Sequence, residues 1–166
     1  MKITTTLLAL LLSILVNAQN IKPEIIKVGD TAPTFTLKTL DGKVFNTNEL
    51  KGKVIYLNFF ATWCGICIKE MPFIESDIWK SIKHDNFVML SIAREQTVEE
   101  IEKFRKDKNY TLPFAVDSTR EIYSLFAPQY IPRNIVIDKD GTIIYTGKNY
   151  NKDEFDKMIK LIKESL

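Results

Sequence analysis

The stretch from Val54 to Cys67 restricts the fold more than any other part of the chain. Val54-Ile55-Tyr56-Leu57-Asn58-Phe59-Phe60 is apolar at nearly every position, as expected of a central strand buried on both faces. Cys64-Gly65-Ile66-Cys67 follows at once and opens a run, Ile66 to Ile82, with apolar residues at Ile66, Cys67, Met71, Ile74, Ile78 and Ile82. That spacing is helical. Pro72 interrupts it and is expected to bend the helix by removing one hydrogen bond. The two cysteines are the only ones in the chain. They lie within one helical turn, where i and i+3 face the same way and reach each other. A cross-link closing so short a loop gains little stability, because the entropy removed from the unfolded chain grows with loop length. The pair therefore points to chemistry.

A helix N-terminus carries partial positive charge and free N–H donors. A thiolate at Cys64 is stabilised there, and only the thiolate attacks disulfides. Cys67 sits one turn further in, more buried and better protonated. The expected sequence is attack by Cys64, a mixed disulfide, and resolution by Cys67. Resolution needs a base. Glu70 lies three residues after Cys67 on the same helical face and is the candidate. Asn58 is polar inside the buried strand, but an amide cannot take a proton.

The rest of the chain alternates strands and helices. Thr34–Leu37 and Lys43–Asn46 flank Asp41-Gly42 and read as an N-terminal hairpin. Phe87–Ile92 reads as a second buried strand. Thr97 and Glu100 form a capping-box pattern ahead of a helix bearing Val98, Ile101 and Phe104. Pro113–Asp117 reads as a short strand, and Ser118 or Thr119 starts a short helix ending near Phe126. Asn134–Asp138 and Thr142–Tyr145 form a second hairpin around Gly141. Asn151 or Asp153 caps a last helix with Phe155, Met158, Ile159 and Ile162 on one face. The pattern is α/β, with a central sheet flanked by helices.

With 166 residues, 45% hydrophobic and 27% charged, the chain fits one domain with a substantial core. A net charge of +2 offers no case for nucleic acid. Met1-Lys2 precedes the apolar run Leu7–Val16, which has the length of a signal-peptide core and falls short of the ~20 residues of a spanning helix. Cleavage is expected after Ala18. Residues 1–18 are thus read as a signal peptide, 19–30 as a polar tether and 31–166 as the folded domain. The mature protein is expected to be soluble and extracytoplasmic, where disulfides form readily.

Several residues resemble a known family. Asn58-Phe-Phe-Ala-Thr-Trp-Cys-Gly-Ile-Cys67 is similar to the active-site segment of the thioredoxin superfamily, and Pro72 matches its helix-bending proline. Gly29–Leu37, Asp41-Gly42-Lys43, Leu50-Lys51-Gly52-Lys53 and Cys67–Pro72 resemble the exported TlpA/ResA-like branch. The resemblance covers about residues 28–165. It implies a thioredoxin-like fold with a mixed sheet, a redox-active Cys64/Cys67 dithiol and a part for Glu70 in thiol chemistry. It also implies a cis-proline at Ile131-Pro132, beside the active site. It further implies thiol–disulfide exchange with cysteine pairs in client proteins, without a bound cofactor, by a protein kept reduced by a membrane thiol–disulfide carrier. Cytochrome c maturation is a client process of that branch. The uncharged pair Gly65-Ile66 favours a reductant or a mild exchanger over a strong oxidant. A monomer is expected. Asn58 stands where thioredoxin carries an acid, which moves the proton work to Glu70.

Trp63, adjacent to Cys64, is expected to line the partner surface with Ile131 and Pro132. Arg94 and Arg133 are expected in solvent, as is His84. Trp79 and the phenylalanines are expected in the core. Two rival readings remain. A peroxiredoxin-like thiol peroxidase would carry Pro and Thr or Ser where this chain has Leu57 and Ala61. The other is a binding module with an inert structural disulfide. A zinc site wants four ligands, and two cysteines with one distant histidine fall short.

Overall fold

A computed structural model describes residues 24–166. The expected signal segment, and the tether as far as Pro23, lie outside the described residues. Strand β3 (Val54–Phe60) is buried at all seven positions and forms the centre of a five-stranded sheet. It pairs in parallel with β4 (Phe87–Arg94), which pairs in parallel with β5 (Phe114–Asp117). On its other side it runs antiparallel to β6 (Arg133–Ile137), and β6 to β7 (Ile143–Lys148). The order is β5-β4-β3-β6-β7, a mixed sheet. Strands β1 (Thr36–Lys38) and β2 (Val44–Asn46) form the expected N-terminal hairpin, and Gly42 turns it with φ of +80°.

Helix α1 (Gly65–Phe73) is capped by Cys64 and contains Pro72. The expected helix to Ile82 does not run on as one α-helix. It passes into a π-helical segment, Ile74–Trp79, in which Lys80 N–H donates to the Glu75 carbonyl. The α ladder carries past Pro72, since Ile74 N–H still donates to the Glu70 carbonyl, and widens into the rarer π form only beyond it. One result is that Glu75 turns inward, 5% exposed. There it accepts from the Thr111 and Leu112 backbone N–H groups at 3.1 and 3.0 Å and from the Thr111 hydroxyl at 2.7 Å.

Helix α2 (Val98–Lys108) starts on the complete Thr97/Glu100 capping box. The short helix α3 (Glu121–Phe126) does not begin at Ser118 or Thr119. Arg120 precedes it at φ +66°, and buried Asp117 takes the capping part by accepting from Tyr123 N–H at 2.7 Å. Asn151 caps α4 (Lys152–Ser165), whose buried face is Phe155, Met158, Ile159 and Ile162, as the periodicity predicts.

Two arginines expected in solvent are not there. Arg133 is 3% exposed and pairs with Glu24 at 2.9 Å. Arg94 packs its guanidinium between the rings of Trp63 and Tyr123, at 5.7 and 4.8 Å from their centroids. A planar, weakly hydrated cation tolerates such stacking. Residues 24–30, read from sequence as tether, lie against the body: Ile26 is buried, and Gly29 N–H donates to the Ile143 carbonyl.

Candidate active site

Strand β3 ends at the sheet's centre, and Ala61-Thr62-Trp63 carries the chain to Cys64. Gln96 fixes this turn, since its Oε1 accepts from Thr62 N–H at 2.7 Å and its Nε2 donates to the Thr62 hydroxyl at 2.6 Å. Cys64 is half-buried, and its Sγ accepts from the backbone N–H of Cys67 at 3.3 Å. That contact is the local form of the helix-terminus effect, a donor already aimed at the sulfur. Cys64 and Cys67 form a disulfide with Cα atoms 5.3 Å apart. Cys67 is 1% exposed. One sulfur therefore meets solvent and the other faces the interior.

The Ile131-Pro132 peptide is cis, and the Ile131 carbonyl oxygen lies 3.7 Å from Cys64 Sγ. Ile131 and Pro132 are buried beneath this edge. Trp63 is 61% exposed beside it, with Ile66 and Tyr130 also exposed. The structure thus brings Trp63, Cys64, Cys67, Ile131 and Pro132 together. His84 is exposed on the connection leading to β4, and its ring Nδ1 accepts from Asn86 N–H. Among the described residues no group of three His, Cys, Asp or Glu side chains is arranged to hold a metal ion.

Glu70 is not a solvated carboxylate. It is 1% exposed, and its Oε1 accepts from Asn134 Nδ2 at 2.5 Å. Burial pushes its carboxyl up from the usual 4.5 to about 8, against the opposing pull of that hydrogen bond. Asn134 Oδ1 accepts in turn from the Tyr56 hydroxyl at 2.7 Å and from Asn58 Nδ2 at 2.9 Å. Burial also raises Tyr56, so its hydroxyl stays a donor. Two donors on one oxygen fix which way the Asn134 amide points, and its NH2 is left for Glu70. Asn58, unable to take a proton, thus acts through Asn134 on the group that can. Sequence reasoning passed over Asn134. A signal existed: it is the polar residue heading the apolar run Ile135-Val136-Ile137, and it pairs in register with Asn58.

A family model described as Redoxin matches residues 27–162. The thiol-disulfide oxidoreductase ResA of Bacillus thuringiensis subsp. konkukian is 30% identical over 142 residues, covering 85% of this chain and 82% of the relative. A solution structure of a proposed protein disulfide isomerase from Bacteroides thetaiotaomicron is 38% identical, with a TM-score of 0.82 over 86% of this chain and 92% of that one. The exposed lipoprotein thioredoxin of Streptococcus pneumoniae is 28% identical, with a TM-score of 0.68 over 80% of this chain and 99% of that one.

Proposed function

The chain belongs to the Redoxin family, and from that premise we propose that it is an exported thiol–disulfide oxidoreductase that reduces cysteine pairs in client proteins. The observation that carries this reading is the disposition of the two sulfurs along α1. Cys64 is open to a partner at the helix cap, and Cys67 is closed in behind it with a buried carboxyl one turn further on.

In the reduced protein the Cys64 thiolate attacks one sulfur of a client disulfide. The client S–S bond breaks, a Cys64–client bond forms and one client thiolate leaves. Glu70, ionised, takes the proton of the Cys67 thiol. The Cys67 thiolate then attacks Cys64, the mixed disulfide breaks, and the Cys64–Cys67 bond forms. Two electrons have passed to the client, whose thiolates take up protons. Trp63, exposed beside Cys64, would meet the client, and the Ile131 carbonyl, 3.7 Å from Cys64 Sγ, would pair with an extended client segment.

We further propose release after Ala18 into an extracytoplasmic space, action as a monomer, recharging by a membrane thiol–disulfide carrier, and clients that include cytochrome c apoproteins. Among the described residues no helix is long and apolar enough to cross a membrane. The reducing direction is supported by the uncharged Gly65-Ile66 pair, which supplies no extra cation to favour the thiolate. Cys67→Ser stalls the cycle at the mixed disulfide. Mass spectrometry of adducts formed in the exported fraction is expected to find client cysteines joined to Cys64. Absence of any adduct, with Cys64 unreactive toward dithiols, would overturn the reading.

A further inference from the structure

Glu70 Oε2 is buried and has no hydrogen-bond partner among the described residues. A cavity of about 190 Å³ lies between β7 and the start of α4, lined by Glu70, Asn134, Tyr145, Gly147, Lys148 and Glu154 among others. Lys148 and Glu154 are exposed, so this side opens to solvent. None of Trp63, Cys64, Cys67, Ile131 or Pro132 lines it. The volume is many times what one water needs, and the lining is polar, as a wet cavity requires.

Gly147 has a particular place here. A Cβ at that position would lie 2.6 Å from the Tyr145 hydroxyl oxygen and 2.9 Å from its ring. Glycine lets the Tyr145 ring lie against the strand, and any side chain would drive it off. The titratable and charged groups around Glu70 are Tyr56 on β3, Tyr145 and Lys148 on β7, Tyr150 and Glu154 at the start of α4, and Cys67 on its own helix.

We propose that this cavity is the proton port of the site. Water in it passes to solvent the proton that Glu70 takes from Cys67, on a side of the protein that a client seated over Cys64 leaves open. Gly147 keeps the passage clear. The inference rests on the part assigned to Glu70 above. The proton moves from Cys67 Sγ to Glu70 Oε2, from there to water, and out. No electron moves in this relay, and the count closes because the departing client thiolate takes a proton from solvent.

The test uses NMR on the Cys67→Ser protein, free and with Cys64 capped by a short cysteine peptide through a disulfide. Water exchange at the Asn134 side-chain amide and the titration of the Glu70 carboxyl are expected to be the same in both. In the otherwise unaltered chain, Gly147→Leu is expected to weaken the water signal and to raise the Glu70 midpoint by about one pH unit, because dehydration disfavours the charged form. Loss of the water signal on capping, a dry Asn134 amide in the free protein, or an unmoved midpoint in a folded Gly147→Leu protein each overturns the port. If Gly147→Leu does not fold, the capped and free arms decide. An exchange-rate pH profile unchanged by Glu70→Gln would remove the underlying reading. A dry cavity beside a normal Glu70→Gln effect would remove the port alone.

Discussion

The Glu70 carboxyl has an ordinary value of 4.5 and titrates at about 8 in the folded protein. Between those values the folded state holds a proton that the unfolded state has lost. Stability therefore falls as pH rises through this window, by about 1.4 kcal/mol per pH unit at the steepest. Below pH 4.5 both states are protonated and the penalty vanishes. Glu70→Gln has no charge to desolvate. It is expected to melt above the native protein at pH 9 and close to it at pH 5, which thermal unfolding at the two pH values checks. Rate and stability move oppositely. Resolution of a mixed disulfide is expected to rise with pH around 8 in the native protein, as Glu70 ionises. It is expected to be about 10²-fold slower and without that inflection in Glu70→Gln. Stopped-flow release of a client thiol reads it, and an identical profile in both proteins would dismiss the base.

Among the elements, those with a local cause were readable in advance. Strand β3, the Thr97/Glu100 box and the apolar face of α4 are each written in a few consecutive residues. The break after Phe73 was legible only in part. Pro72 announces a fault, but whether the chain bends, stops or widens into a π turn depends on what receives the displaced side chain. Here Glu75 is received by the backbone of Thr111 and Leu112, a partnership 36 residues away. No local pattern shows that. Glu75→Ala would strand two backbone donors and loosen the lead into β5, at a cost of about 3 kcal/mol. Thr97→Ala, which removes one cap on an exposed helix end, is expected to cost about 1 kcal/mol. Urea denaturation of both variants checks the order, and equal losses would deny Glu75 its clamp.

Across the whole molecule, the candidate site depends on strand register. Asn58 and Asn134 face each other only because β3 and β6 run antiparallel in that alignment. One residue of slip would send each to the other face of the sheet. This is why the cysteines were legible and the amide behind Glu70 was not: the pair is a local motif, while the network is assembled from three elements. The misjudged arginines teach the same lesson, since Arg133 is buried on account of Glu24, 109 residues earlier. A chain starting at Lys27 loses that ion pair and the buried Ile26. It is expected to melt about 5 °C lower, allowing for Glu24's partial exposure to solvent. Calorimetry of the two lengths is the check, and an equal melting temperature would show the segment to be idle.

Arg133 follows Pro132 directly, so its ion pair with Glu24 ties residues 24–30 to the strand that begins beside Cys64. An affinity handle fused immediately ahead of Glu24 would therefore crowd that junction, at the same end of β6 as the cysteines. The outer side of α2, with exposed Lys103, Lys106 and Lys108, offers an attachment point for immobilised assays that leaves the groove untroubled.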